Sequence, residues 1–277
     1  MAAGSDPVRA HVSIKPLQFL VEQVGGRRVE IAVVVEAGQS PETYEPTPRQ
    51  ISGLADADIF FGVGMPLEPV WRRQLRQTGS SAPQWVDLSD GLPADPDAHD
   101  DHGENESEAG THYHHGGIDP HIWLSPVNAQ HMATGIADAL AAIDPANADR
   151  YRENAETLRT ALTALDREIS ETLADSGVDA FLVYHPAWGH FARAYDLEQI
   201  SIESEGKQPG PRGLVEVVQK AEEKHIKTLF IDPMHNDRLA RTVADAIGAR
   251  LEVLDPLALD YFDNLRRTAR VIADSRS

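Results

Sequence analysis

The residues best able to do chemistry in this chain are histidines and acids. Their clearest arrangement is Asp-Pro-His-Ile-Trp-Leu-Ser-Pro at 119–126, which fixes His121 between two prolines. Just before it, five histidines (His99, His102, His112, His114 and His115) fall among Asp100, Asp101, Glu104, Glu106 and Glu108. Neutral imidazole is the commonest protein metal ligand, so a fixed histidine beside a His-rich acidic tract points to metal handling. The chain has no cysteine, which removes thiolate sites, disulfides and Cys nucleophiles and leaves only nitrogen and oxygen ligands.

In open α/β sheets, ligands gather outside the carboxyl ends of the strands. Four side chains stand at such positions: Glu42 in the loop leaving the apolar run at 29–35, His121 after the His-rich tract, His185 after the run at 181–184, and Asp255 after the run at 250–254. Two come from each half of the chain, which predicts a site in a cleft between two lobes. Each has a plainer alternative. Glu42 can be a solvated carboxylate, leaving three protein ligands and water; His121 and His185 can be satisfied core histidines; Asp255 can close an Asp-Pro turn. His235 also follows a strand-like run and is a candidate substitute ligand or gate, whereas His11, His131, His190 and His225 read as structural or surface positions. The His-rich tract reads as a loop that captures metal weakly near the cleft, with a solvated insertion of no role as its alternative.

Such a set needs rigid elements behind it. Short apolar, β-branched runs recur at 11–14, 29–35, 58–63 and 84–88, and again at 181–184, 199–202, 228–231 and 250–254, separated by helical patterns such as 212–224 and 237–247. This alternation predicts an α/β fold of two lobes, each a mostly parallel sheet with flanking helices. Between them, Leu158, Leu162, Leu165, Ile169 and Leu173 recur at helical steps within 145–174, with Asp144 placed to cap and Pro145 at the first position. A helix of that length runs about 45 Å and makes a rigid connector rather than a hinge. The expected boundaries are an N-terminal lobe at 8–143 carrying the His-rich acidic loop at 95–117, a backbone helix at 144–175, and a C-terminal lobe at 176–277.

Composition narrows the function. The 277 residues carry a formal charge of −19, which argues against nucleic acid and anionic membrane surfaces and favours a cationic ligand. No apolar run is long enough to span a bilayer, and the first residues lack the basic and apolar regions of a signal peptide, so the chain reads as mature or trimmed. No His-Glu-x-x-His helix, Gly-x-Ser-x-Gly elbow or Gly-rich phosphate loop is present, which weakens the rival reading of a zinc hydrolase. A metal-buffering or adhesion protein is a third reading.

Several stretches follow one another in a telling order: Val-Ser-Ile with Pro-Leu at 12–17, Gly-Gln-Ser-Pro-Glu-Thr-Tyr-Glu-Pro-Thr-Pro at 38–48, the motif at 119–126, His-Pro-Ala-Trp-Gly-His-Phe-Ala at 185–192, Glu-Gly-Lys-Gln-Pro at 205–209, and Leu-Asp-Pro-Leu at 254–257. In these the chain resembles the substrate-binding proteins of zinc and manganese ABC transporters. The resemblance implies two lobes joined by a long helix and four metal ligands in the interlobe cleft, here Glu42, His121, His185 and Asp255. It also implies delivery of the metal to a membrane permease rather than catalysis. The expected place is periplasmic, or extracellular and membrane-anchored, and the expected state is a monomer. One position departs from the family, which usually has His where Glu42 stands. A glutamate oxygen binds Zn²⁺ near 2.0 to 2.2 Å, and Mn²⁺ favours carboxylates more than Zn²⁺ does. The His-rich loop resembles that of zinc-uptake members, and a given N/O site prefers Zn²⁺. Zn²⁺ is therefore the expected cargo, with Mn²⁺ as the alternative. Trp123, Trp188 and Tyr44 are placed to shield the metal or to serve as interlobe core, and Lys207 lies in a charged loop facing the cleft or the transporter.

Overall fold

The computed structural model describes residues 6–36, 38–77, 79, 82–93, 119–203, 207–233 and 238–276. The His-rich loop at 95–117 and His235 lie outside the described residues.

Among the described residues, two parallel sheets of four strands organise the molecule. The first contains β1 (Val8–Val12), β2 (Val29–Val33), β3 (Ile59–Gly62) and β4 (Gln84–Asp87) in the order β2-β1-β3-β4. The second repeats the order one lobe later, as β6-β5-β7-β8, from β5 (Ala180–Val183), β6 (Glu198–Ser201), β7 (Thr228–Ile231) and β8 (Arg250–Val253). Of the central strands β1, β3, β5 and β7, the last three are buried at every position, as expected of strands covered by helices on both faces. Strand β1 begins three residues before the predicted run. Val8, Ala10 and Val12 face inward while Arg9 and His11 alternate with them, a period-2 pattern whose polar members hide its start.

The predicted connector is α5 (Ala148–Ala174), preceded by a 3-10 turn at Pro145–Asn147. At 27 residues it is about 40 Å long. Asp144 does not cap it with a backbone bond. Its carboxylate instead accepts from Tyr151 Oη and Asn147 Nδ2, both at 2.8 Å, because the 3-10 turn carries α5's first amides away from it. The buried stripe Leu158, Leu162, Leu165, Ile169 and Leu173 packs on α1 (Lys15–Gly25), α4 (Pro126–Ile143) and α9 (Tyr261–Ala273). Helix α4 lies closest along it. Ser125 accepts from Asn128 N at its start, and Ala129, Ala133, Ala137 and Ala141 line up at every fourth position, all buried, so that the two backbones approach closely.

The main core runs through both lobes, from Val12 and Leu17 through Trp123 and Leu162 to Phe191 and Tyr261. A smaller cluster around Leu182, Ile200, Leu229 and Val243 belongs to the second sheet alone. Where the lobes meet, Trp123 Nε1 donates to the Pro256 carbonyl at 2.7 Å, Tyr261 Oη donates to the Trp123 carbonyl at 2.6 Å, and the Tyr261 ring stacks on Phe19 of α1. Truncating Trp123 to alanine would cost about 3 to 5 kcal/mol, lost transfer energy and cavity together.

Candidate metal centre

Glu42 stands in the loop between β2 and α2 (Pro48–Leu54), and one side chain ties that loop down. Thr47 and Gln50 form a reciprocal capping box: Thr47 N donates to Gln50 Oε1 at 2.8 Å, and Gln50 N donates to Thr47 Oγ1 at 3.3 Å. The remaining end of Gln50, Nε2, lies within hydrogen-bond reach of Tyr44 Oη (2.6 Å), Glu36 Oε1 (3.2 Å) and the Val34 carbonyl (3.3 Å). A cap is worth about 1 kcal/mol to a short helix. Here the same glutamine also fixes the chain on either side of Glu42.

His121 opens a 3-10 turn at Ile122–Leu124 that leads directly into α4. Its side chain is buried, and its Nδ1 sits 2.7 Å from Asp119 Oδ1, which also accepts from the His121 backbone N at 3.0 Å. With its proton on Nδ1, the ring presents the lone pair of Nε2 to the cleft. This carboxylate–imidazole pairing orients metal-binding histidines and raises their basicity. Burial alone would raise the Asp119 carboxyl. The hydrogen bond and charge of His121, with a smaller contribution from His190, outweigh it and hold Asp119 below the ordinary carboxylate range.

His185 follows β5, and Glu203 follows β6, each two residues beyond the strand end. Their side chains meet, with Nδ1 of His185 3.4 Å from Glu203 Oε2. On its other side, His185 Nε2 lies 3.3 Å from Glu42 Oε1 and 3.5 Å from His121 Nε2. Burial pushes the His185 imidazolium down, but the Glu42 hydrogen bond and charge, with the charges of Asp232 and Glu203, overcome it and raise its pKa above the usual imidazole value.

Glu42, His121 and His185 thus come from three separate segments, with one ligand atom of each within 4.8 Å of the others. A tetrahedral ion bound at about 2.0 to 2.1 Å holds its ligand atoms roughly 3.3 to 3.4 Å apart. The spacings of 3.3 and 3.5 Å around His185 Nε2 match that edge. Asp255 stands outside this trio. One oxygen accepts from Leu257 N at 2.9 Å in the turn after β8, its backbone carbonyl accepts from Asn264 Nδ2 at 2.7 Å, and it lines a small interlobe cavity with Lys15, Glu36 and Pro233.

From sequence, Glu203 reads only as the start of the charged loop around Lys207, and Asp119 carries no role, although it lies inside the motif that singles out His121. An acid two residues before a histidine is the one signal that could have found it. Of the histidines read as structural, His190 donates from Nε2 to the Asp119 carbonyl at 2.9 Å and accepts at Nδ1 from Arg193 (3.1 Å) and Asn128 (3.3 Å). His131 reaches the Asp90 carbonyl at 2.8 Å, and His11 lies within β1, where burial lowers its pKa. Trp123 and Trp188 are both buried, with the Trp123 ring centroid 5.2 Å from that of His121.

Residues 11–275 match the family described as zinc-uptake complex component A, periplasmic. The high-affinity zinc uptake system protein ZnuA of Bacillus subtilis is 26% identical over an alignment covering 99% of this chain and 90% of that protein. A crystal structure of ZnuA superimposes with a TM-score of 0.86 at 33% identity, covering 98% of this chain and 100% of the other. A ZnuA deletion mutant with zinc bound is equally similar, with a TM-score of 0.86 and 33% identity over 98% of this chain and 99% of its own. With nearly its whole length matched in sequence and in fold, the chain belongs to the zinc-uptake complex component A family of binding proteins.

Proposed function

We propose that the protein takes up one Zn²⁺ ion in the interlobe cleft and hands it to an ABC permease outside the cytoplasm, acting as a carrier without turnover and as a monomer. Glu42, His121 and His185 bind the ion, and Asp255, at the cleft end of β8, completes the set as the fourth ligand. The observation that carries this reading is the convergence of three nitrogen and oxygen ligand atoms from separate segments within 4.8 Å of one another, two of the three spacings close to a tetrahedral edge and both histidines backed by a carboxylate. The His-rich loop at 95–117 supplies weak capture, and Lys207 faces the cleft or the permease.

Mn²⁺ is the second reading, favoured by Glu42, whose carboxylate suits the harder ion better than an imidazole does. Equilibrium dialysis of metal-stripped protein against equal Zn²⁺ and Mn²⁺, followed by elemental analysis, separates the two. One zinc per chain, reduced in Glu42→Ala and in Asp255→Ala, supports the zinc carrier with four ligands. Retained manganese assigns the carboxylate a role in selectivity, and retention of neither ion sinks the metal-carrier reading.

A further inference from the structure

Asp119 meets the second lobe as well as His121. His190, in α6 (Gly189–Ala194), donates to the Asp119 backbone carbonyl at 2.9 Å, and the Asp119 carboxylate lies directly against the backbone of Gly189. A Cβ on Gly189 would stand 2.6 Å from Asp119 Oδ2, about an ångström inside van der Waals contact. Gly189 is the first helical residue of α6 and does not have a positive φ, so its backbone conformation makes no demand for glycine. What glycine provides here is space for a carboxylate.

That carboxylate cannot step aside without consequence. Its other oxygen holds both Nδ1 and the backbone N of His121, at 2.7 and 3.0 Å, so rotating it away breaks the contacts that aim the ring. Helix α6 is held in turn, since Trp188 N, just before it, donates to Gln199 Oε1 at 2.7 Å and His190 is bonded to Asp119 itself. We propose that Gly189 is a positioning residue of the metal centre: by admitting the Asp119 carboxylate against α6, it lets the second lobe fix the orientation of His121 in the first. This rests on the reading of the cleft as a Zn²⁺ site.

The test is a double-mutant cycle on the full chain with Gly189→Ala, Asp119→Ala and the pair combined. Zn²⁺ affinity is read by competition with a chromogenic chelator, the visible spectrum is recorded after Co²⁺ substitution, and metal-free melting is followed by circular dichroism. Loss of a partner behind a metal ligand typically weakens binding by roughly 10- to 100-fold. Gly189→Ala should fall in that range and alter the Co²⁺ bands while the metal-free protein melts as before. In the Asp119→Ala background, adding Gly189→Ala should change affinity by less than about twofold, because the obstructed group is gone. Wild-type affinity in Gly189→Ala, or an equal loss in both backgrounds, overturns the proposal. Should the single variant fold poorly, recovery of folding in the double variant supports it, and a double variant that also fails overturns it. A wild-type chain that retains no Zn²⁺ would instead remove the metal site itself.

Discussion

In the proposed ligand set Glu42 puts a carboxylate where the resemblance leads one to expect an imidazole, which would change both selectivity and the competition with protons. Glu42→His should raise the ratio of Zn²⁺ to Mn²⁺ retained in direct competition, since imidazole favours the softer ion. An unchanged ratio would place Glu42 outside the coordination sphere. The proton side follows from His185, whose pKa is raised because Glu42 outweighs burial. Proton and metal compete for Nε2, so binding is full above that raised pKa and weakens as pH falls through it. In Glu42→Gln the charge is gone and burial remains, so the onset of this loss should move to lower pH even as affinity at pH 8 drops. Zn²⁺ affinities measured across the imidazole range check the direction, and an onset that stays put would mean that Glu42 does not govern His185. His185→Ala should lose at least about a hundredfold in affinity with an unchanged far-UV spectrum, since it removes the atom shared by both short ligand spacings.

At the scale of elements, the loop bearing Glu42 depends on Gln50, which joins the capping box of α2 to Tyr44, Glu36 and Val34. Gln50→Ala should lower thermal stability by about 1 kcal/mol and also weaken Zn²⁺ binding. Thr47→Ala, which removes the cap alone, should affect stability more than binding. Equal binding losses in both would put the effect in the helix rather than in the loop. A second element-scale feature is Glu68, the first residue of α3 (Glu68–Gln77), which is 2% exposed and accepts from Val63 N and Gly64 N at 3.2 and 3.0 Å. Burial raises its carboxyl to about 7. Between its ordinary value and pH 7 the folded chain holds a proton that the unfolded chain has released, so this group's contribution to stability declines as pH rises through that window. Glu68→Gln carries no such proton, and its stability relative to wild type should rise by roughly 3 kcal/mol from pH 4.5 to 7 in denaturant titrations. Parallel profiles would mean that Glu68 is ionised in the folded chain throughout. Sequence pattern anticipates elements of this kind unevenly. Strands β5 and β7 announce themselves as short continuous apolar runs, whereas α4 buries its face with alanines, which carry little hydrophobic contrast. His185 is legible because it follows a strand, and Asp255, which follows β8 in the same way, stands outside the trio. Glu203, Gln50 and Gly189 are not legible, since their roles arise only when segments distant in sequence meet.

Over the whole molecule, the continuous core and the Trp123–Pro256 and Tyr261–Trp123 bonds join the lobes into one body. Near-UV and far-UV circular dichroism should therefore report one coincident unfolding transition, and the radius of gyration should change by less than about 1 Å on metal loading, as in pre-organised sites. Two separated transitions would show that α5 connects lobes that fold on their own. Trp123 has one more consequence. Its indole is fully buried, its N–H is locked to a carbonyl, and its ring sits beside His121, so a doubly charged ion arriving at Nε2 changes the electric field across a chromophore that cannot reorient. Loading of the cleft should then be visible as a shift in intrinsic fluorescence that Trp123→Phe abolishes, giving the unlabelled chain its own optical gauge of occupancy.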